Sequence, residues 1–383
     1  MDGKEAQSLK ICVVTGIPPL NLLVFRFVQV LEPIVDELVL ITGNYPEKDV
    51  FSSKIKLINI IKAQSRKQSL LVEIPKFALR QLRMAYHLAK NMSQARIVIF
   101  FLEGGTLLLP MLVARLAHKK TIIVVTYSAS QIARQVNQGS KAQLLLPVVM
   151  SLIERLNYQL AQKLVVYSPN IVSCLGLEKY RNKILLTHEY FLDFDKFNVQ
   201  KQLNDRDNLV GYIGRISEEK GVMNFVKAIP EILKERNEVK FLVGGHGRLI
   251  DEIEKYLSQQ NLNDKVKLMG WIPHDELSNY LNELKLLVIP SYTETGPYIA
   301  FEAGACGTPI LGTPVGLMSD VIKDGQTGFI MKDNSPECIA RNIIRALEHP
   351  NLEEIAQNAR GLMESDFTYE KAVERYRKIL ENI

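Results

Sequence analysis

Short apolar runs rich in β-branched residues alternate with longer stretches of helical period along the whole chain. In the first half the runs 10–15, 37–42, 56–61, 96–102, 121–126, 163–168 and 183–187 read as strands. Continuous apolar runs of this length suit strands covered on both faces, as in a parallel sheet flanked by helices. A second series follows at 209–213, 239–243, 266–269, 286–289, 309–312 and 328–331. Between the two series, residues 198–208 are charged, amide-rich and without periodicity, which are the features of a linker. The pattern predicts an α/β fold of two Rossmann-like, doubly wound domains facing across a cleft. The expected bounds are a first domain over 1–197, the linker 198–208, a second domain over 209–365 and a closing helix over 366–383. Two helical stretches stand out. One is expected to open at Pro75 and run to about Met92; the other, 143–153, is apolar, too short to cross a bilayer and expected to be buried.

Composition changes this picture little until it is mapped. A chain of 383 residues with 47% hydrophobic and 23% charged side chains is a packed protein of two or more domains, not a disordered or collagenous one. The formal charge of +5 is an average of unlike halves. Residues 1–200 hold 25 Lys and Arg against 14 Asp and Glu, residues 201–383 hold 22 against 28, and the block 51–150 holds 15 against 2. The four cysteines, Cys12, Cys174, Cys306 and Cys338, form no Cys-x-x-Cys pair, so neither a zinc knuckle nor a dithiol motif is offered and reduced thiols are expected. Residues 1–10 are polar and 11–15 too short for a signal core, which points to a cytoplasmic protein.

Candidate chemistry lies just after strands of the second series, where ligands of open α/β sheets bind. Gly211-Tyr-Ile-Gly214-Arg215 leads to Lys220-Gly221 and a helical stretch. Glycines that admit close backbone approach, with two cations beside a helix start, suit a diphosphate; a solvated turn with surface charges suits the same residues. Gly244-Gly245-His246-Gly247 follows the next strand, and His246 reads as a turn residue at the rim rather than a base. Pro290 to Pro309 is the richest stretch. Pro297 fits the first turn of a helix whose N–H groups face the cleft, and two carboxylates, Glu294 before that helix and Glu302 within it, flank the start. Glu302 lies among Ala300, Phe301, Ala303 and Gly304, a setting in which an acid needs a hydrogen-bonding partner.

These residues resemble glycosyltransferase family 4. Glu294 and Glu302 with seven residues between them are similar to its Glu-x7-Glu signature, and Gly214-Arg215 with Lys220-Gly221, Gly312-Thr-Pro-Val-Gly316 and Asp324-Gly-Gln-Thr-Gly328 match further stretches over about 207–365. The resemblance implies GT-B architecture, with the last helix crossing back to the first domain, and a retaining glycosyltransferase of the hexosyltransferase class. It implies that Arg215 and Lys220 bind the donor diphosphate and stabilise the leaving group, that Glu302 holds the ribose, and that Glu294 lies near the transferred sugar. Gly214, Gly245, Gly296, Pro297 and Tyr298 would line the donor site, and the backbone around Gly270-Trp271-Ile272 would meet the base. With two cations at the phosphates no metal and no cofactor is expected, and the Asp-x-Asp triplets Asp193/Asp195 and Asp205/Asp207 are not assigned a metal.

The first domain departs from the family. Gly16 stands alone where relatives carry a glycine pair, Tyr127-Ser128 occupies the place of a histidine near the sugar, and Phe191 replaces a glycine. Gly16 and Tyr127 are assigned to the acceptor or sugar side. Lys76, Arg80, Arg83, His87 and Lys90 fall on one helical face, opposed or flanked by Ile74, Ala78, Leu82, Ala85 and Ala89, with Lys62, Arg66 and Lys67 upstream. Such a helix suits either an anionic leaflet or a solvated face on a sheet; nucleic acid is not expected, since no reader motif appears. The expected activity is transfer of a sugar from a UDP- or GDP-sugar to a lipid-linked or glycan acceptor, at the inner membrane face, in polysaccharide or glycolipid synthesis. A nucleotide-sugar epimerase and a non-catalytic sugar-nucleotide-binding subunit are the alternatives.

Overall fold

The computed structural model describes residues 8–16, 22–43, 51–60, 70–136 and 141–383. The chain divides into two units, one of residues 1–189 and 372–383, the other of residues 190–371. Among the described residues the first unit holds seven parallel strands: β1 (Lys10–Thr15), β2 (Glu37–Thr42), β3 (Ile55–Asn59), β4 (Ile97–Phe101), β5 (Lys120–Val125), β6 (Lys163–Val166) and β7 (Ile184–Leu186), in the order β3-β2-β1-β4-β5-β6-β7. The second holds six: β8 (Leu209–Ile213), β9 (Lys240–Gly244), β10 (Val266–Gly270), β11 (Leu286–Ile289), β12 (Ile310–Gly312) and β13 (Phe329–Ile330), in the order β10-β9-β8-β11-β12-β13. Both sheets therefore reverse direction beside their first strand, at β1/β4 and at β8/β11. The crevice outside the carboxyl ends of the strands at such a reversal is where this class of sheet takes its ligands.

The runs read as strands are strands, with ends shifted by a residue or two; most are buried on both faces, while β3, β7 and β10, at the sheet edges, are only partly covered. The domain bounds differ. Residues 198–208 are not a free linker but part of the second unit: Gln200 N–H donates to Asn282 Oδ1 at 2.8 Å, and Arg206 is buried. Its guanidinium donates to the carbonyls of Lys201, Leu284 and Cys306 and to Thr308 Oγ1, all at 2.8–2.9 Å; Leu284 and Cys306 are helix C-caps, whose carbonyls the helix leaves unpaired. The division falls earlier, between Glu189 and Tyr190, and the Tyr369–Glu381 helix returns the chain to the first unit from Ala372. There Tyr376 packs edge-on against Phe27 with ring centroids 5.3 Å apart.

Helix faces differ more. The helix expected to open at Pro75 starts at Leu70 and carries Pro75 inside it. Among its described side chains Gln81, Met84 and Leu88 are buried, while Ala78, Leu82 and Ala89 of the expected apolar stripe are exposed. The apolar run 143–153 belongs to the Lys141–Leu160 helix but faces outward, with Leu145, Val148, Val149 and Leu152 about half or more exposed. Lys62, Arg66 and Lys67 lie outside the described residues.

Candidate active site

In the second unit four strand-end loops are stitched together through backbone. After β8, Gly214 N–H donates to Gly244 O at 3.0 Å and Ile216 N–H to His246 O at 3.1 Å; after β9, Gly245 N–H donates to Gly270 O at 2.7 Å. Tyr292 N–H, after β11, reaches back to Glu219 O at 3.0 Å, and Leu317 N–H, after β12, to Thr295 O at 2.8 Å. The glycines make this approach possible. A Cβ on Gly221, which sits at φ 67°, would overlap the Pro290 carbonyl oxygen, and one on Gly245, at φ 133°, would overlap that of Gly214.

The stitching brings two residues 74 positions apart into one ion pair at the β8/β11 reversal. Lys220, at the end of a short 3-10 turn, places its Nζ 2.6 Å from Glu294 Oε1, which also accepts from Ser291 Oγ at 2.8 Å. The pair is largely buried, with the Glu294 side chain 9% and Lys220 25% exposed. Arg215 is not drawn in: its side chain is exposed and sits 3.4 Å from Glu219. Pro297 caps the Tyr298–Ala305 helix one residue before its start, so the first N–H groups of that helix begin at Tyr298. Gly296 lies against the Tyr190 ring, which a Cβ would enter, and Tyr190 stacks edge-on with Tyr298 at 4.7 Å.

Glu302 is buried, and the partner its setting demands is His274, whose Nε2 lies 2.9 Å from Oε1. Lys196 Nζ lies 2.9 Å from the other ring nitrogen, Nδ1, and pairs with Asp275 at 2.6 Å. Neither His274 nor Lys196 was singled out by sequence, since each comes from a loop remote from Glu302. Ile272 is buried beside Gly244, where it fills the space a Cβ would need, and Trp271 is exposed. His246 is exposed and contributes its carbonyl to the turn, as expected of a rim residue. Asp193 Oδ1 accepts from the N–H groups of Asp195 and Lys196, so the first Asp-x-Asp triplet shapes a turn.

In the first unit the assigned residues Gly16 and Tyr127 follow β1 and β5, and the strand paired between them, β4, is followed by Leu102 and Glu103, both left-handed at φ 42° and 52°. Non-glycine residues in this region cost of order 1–3 kcal/mol each and persist only where surroundings over-determine them. Here they are. Thr106 N–H and Oγ1 donate to Glu103 O at 2.8 and 2.9 Å, Asn157 Nδ2 donates to Gly105 O at 2.7 Å, and buried Gln81 donates to Thr106 O at 2.7 Å. Glu154 holds the next loop by accepting from Ala129 N–H at 2.6 Å and Ser128 Oγ at 3.0 Å. Arg80 corrects the sequence reading: it is not on the outer face. Its Nη1 donates to Gly16 O at 2.9 Å and its Nη2 lies 3.1 Å from Glu103 Oε2. Burial pushes the Glu103 carboxyl up against the opposing charge of Arg80, and burial, with Glu103 nearby, pushes the Tyr127 phenol up so that it remains a donor.

Lys76, Arg83 and Lys90 are exposed, and exposed Leu79, Leu82 and Tyr86 stand among them. This helix packs on Leu108–Leu116, which packs on Lys141–Leu160. Among the described residues, eleven of the fifteen exposed large apolar side chains lie on these three neighbouring helices, so they form one face rather than scattered single contacts. No described helix is long and apolar enough to cross a membrane.

Comparison with known proteins agrees with the second unit's geometry. Residues 193–362 match the family model described as glycosyl transferases group 1. An uncharacterized glycosyltransferase of Methanocaldococcus jannaschii is 31% identical over 177 residues, covering 45% of this chain and 44% of the relative. The lipopolysaccharide 1,2-N-acetylglucosaminetransferase of Salmonella typhimurium is 28% identical over 196 residues, 48% and 51% of the two chains. The chain thus spans about half the length of the curated relatives it matches. Among solved structures, Anabaena HepE in complex with UDP superposes with a TM-score of 0.74 at 14% identity over 98% of this chain and 100% of its own; it has also been solved with UDP-glucose. The chain has the GT-B fold.

Proposed function

We propose that the chain is a retaining glycosyltransferase that moves a sugar from a UDP- or GDP-sugar to a lipid-linked or glycan acceptor. The observation that carries this reading is the part-buried Lys220–Glu294 pair at the sheet reversal, within the stretch that matches the glycosyltransferase family. In the reaction Lys220 neutralises the diphosphate and stabilises it as it leaves, and backbone N–H groups at the start of the Tyr298–Ala305 helix add to that field. Arg215, exposed and paired only to a neighbouring acid, swings to the phosphates when donor binds. Glu294 gives up its lysine to the transferred sugar's hydroxyls. Glu302, set by His274, accepts from the ribose. Because two cations meet the phosphate charge, the proposed chemistry invokes no metal or cofactor. Both nucleotides stand, since the base would be met by backbone near Ile272.

The membrane reading rests on a separate observation, the apolar face of three helices edged by Lys76, Arg83 and Lys90. A face of that composition suits the inner, anionic leaflet and a lipid-linked acceptor presented from it.

The test is turnover of nucleotide-sugar by Lys220→Ala and Glu302→Gln variants whose circular dichroism matches the parent. Loss of an electrostatic contact to the leaving group costs about 10²-fold or more in kcat. Undiminished turnover by both variants refutes the assignment. Isomerised donor without acceptor would make the chain an epimerase, and donor bound without turnover on any acceptor a binding subunit.

A further inference from the structure

The turn shaped by the first Asp-x-Asp triplet presents Lys196. Asp193 Oδ1 accepts from the main-chain N–H of Asp195 at 3.1 Å and of Lys196 at 3.2 Å, and Asn198 Nδ2 ties the far side of the turn to Asp195 O at 2.7 Å. Phe197 beside it is buried, its ring edge-on to that of His274 with centroids 5.4 Å apart. On this fixed backbone Lys196 Nζ meets two groups, Asp275 Oδ1 at 2.6 Å and His274 Nδ1 at 2.9 Å. The hydrogen bond and charge of Lys196 hold the Asp275 carboxyl below the usual carboxylate range.

An ammonium group has donors only, so His274 Nδ1 accepts. The ring proton then sits on Nε2, 2.9 Å from Glu302 Oε1, and is donated to it. Lys196, His274 and Glu302 thus form a chain in which each bond points toward the carboxylate. A proton on Nδ1 instead would set donor against donor at Lys196 and acceptor against acceptor at Glu302. One Glu302 oxygen is occupied in this way. The other, Oε2, has no partner among the described residues and is not shut off from solvent, the side chain keeping 4% of its area exposed. A carboxylate oxygen only accepts, so a ligand group that meets Oε2 must donate.

We propose that Lys196 is a positioning residue of the nucleotide site: through His274 it fixes which Glu302 oxygen is taken and leaves Oε2 to accept from a ribose hydroxyl of the nucleotide-sugar. The inference rests on the glycosyltransferase reading, in which Glu302 meets the ribose, and deepens it by naming the residue that stands behind that contact. It also gives the Asp193 turn a use, as the support of Lys196. Because the free oxygen offers nothing but an acceptor, the site favours ribose over a sugar lacking the contacted hydroxyl.

Two measurements on the full chain test this. The first is NMR of the chain carrying isotope-labelled histidine, in which the two ring nitrogens give distinct shifts and His274 is assigned by its loss in His274→Gln. The proton is expected on Nε2 in the parent, and its exchange with solvent is expected to be faster in Lys196→Met, which donates nothing. The second is calorimetry of UDP and GDP and of their 2′-deoxy and 3′-deoxy forms. Lys196→Met and His274→Ala should weaken the nucleotide about tenfold, the scale of a lost hydrogen bond to a charged group, yet leave unchanged the deoxy form that lacks the contacted hydroxyl. His274→Gln, whose amide nitrogen can stand where Nε2 stood, should restore most of the affinity lost in His274→Ala, which separates lost positioning from failure to fold. Variants that bind as the parent does overturn the proposal, and so does a weakening equal for the nucleotide and both deoxy forms, which marks a purely structural role. If the parent binds neither UDP nor GDP, the glycosyltransferase reading fails and takes the ribose contact with it, whereas a proton on Nδ1 overturns the chain of bonds and leaves that reading intact.

Discussion

The pair His188 and Glu189, at the end of the first unit's first segment, makes a prediction about stability and pH that can be worked in full. Glu189 is completely buried and accepts from Tyr167 OH at 2.6 Å and Tyr376 OH at 3.5 Å. Burial pushes its carboxyl up from 4.5 to about 7, against the opposing hydrogen bonds and the charge of Arg375. Burial, aided by Arg375, pushes His188 down from 6.5 to about 3; Arg375 Nε donates to the His188 carbonyl at 3.2 Å. The signs are opposite. The folded chain holds the Glu189 proton after the unfolded chain has lost it, so this group's stabilisation is full below pH 4.5 and lost as pH rises to 7, about 3 kcal/mol at roughly 1.4 kcal/mol per unit. His188 contributes stability above 6.5 that is lost as pH falls toward 3, up to about 5 kcal/mol on the same scale. Between pH 4.5 and 6.5 the two slopes cancel.

Glu189→Gln breaks that cancellation. The amide oxygen keeps one tyrosine donor and the amide nitrogen can donate to the other hydroxyl, while the titrating group is gone. Stability of the variant minus that of the parent should therefore climb by about 3 kcal/mol from pH 4.5 to 7 and level off above. Urea unfolding followed by circular dichroism measures it. Trp271, the chain's one tryptophan, lies in the second unit, so its fluorescence separates that unit's transition from the one of interest. A difference that stays flat within about 0.5 kcal/mol across pH 4.5–8 would refute the reasoning, since the measured slope is the proton count itself.

Gly221→Ala forces a methyl into the Pro290 carbonyl and a side chain to φ 67°, and should cost about 3 kcal/mol and weaken nucleotide binding, read by urea midpoint and calorimetry. The parent chain should co-sediment with vesicles containing anionic lipid and detach as salt rises. Leu82→Glu with Leu152→Glu should lower that binding about tenfold without changing thermal stability; binding indifferent to lipid charge and to both substitutions would remove the membrane reading.

What sequence disclosed follows from what is local. Strands were legible because a parallel sheet buries both faces of each strand, leaving unbroken runs such as Ile11 to Val14. The glycines and acids of the second unit were legible because each sits within a few residues of a strand end. Helix faces were not. The outward Leu145 and Val148 and the inward Gln81 reverse the usual partition, and periodicity alone cannot tell which stripe of a two-sided helix meets the sheet. Arg206 was unreadable for the same kind of reason: its immediate neighbours Asp205 and Asp207 are polar, while two of the carbonyls it answers are 78 and 100 residues away. His274 and Glu103 were missed because a lone histidine or acid carries no signal until folding supplies its partner, Glu302 for one and Arg80 for the other.

The stitched loops of the second unit have a consequence for how such a domain can diversify. With Gly221 against Pro290, Gly245 against Gly214, Gly247 against Ile216 and Gly316 against Glu294, each loop's length is fixed by its neighbours' main chain. An insertion in any one would unseat the others, so drift and laboratory selection alike are channelled away from loop remodelling and into exchange of the few side chains exposed on the frame, Arg215, Tyr292 and Thr293 among them. New donor preferences in this unit should therefore come as point substitutions, while length variation accumulates elsewhere in the chain.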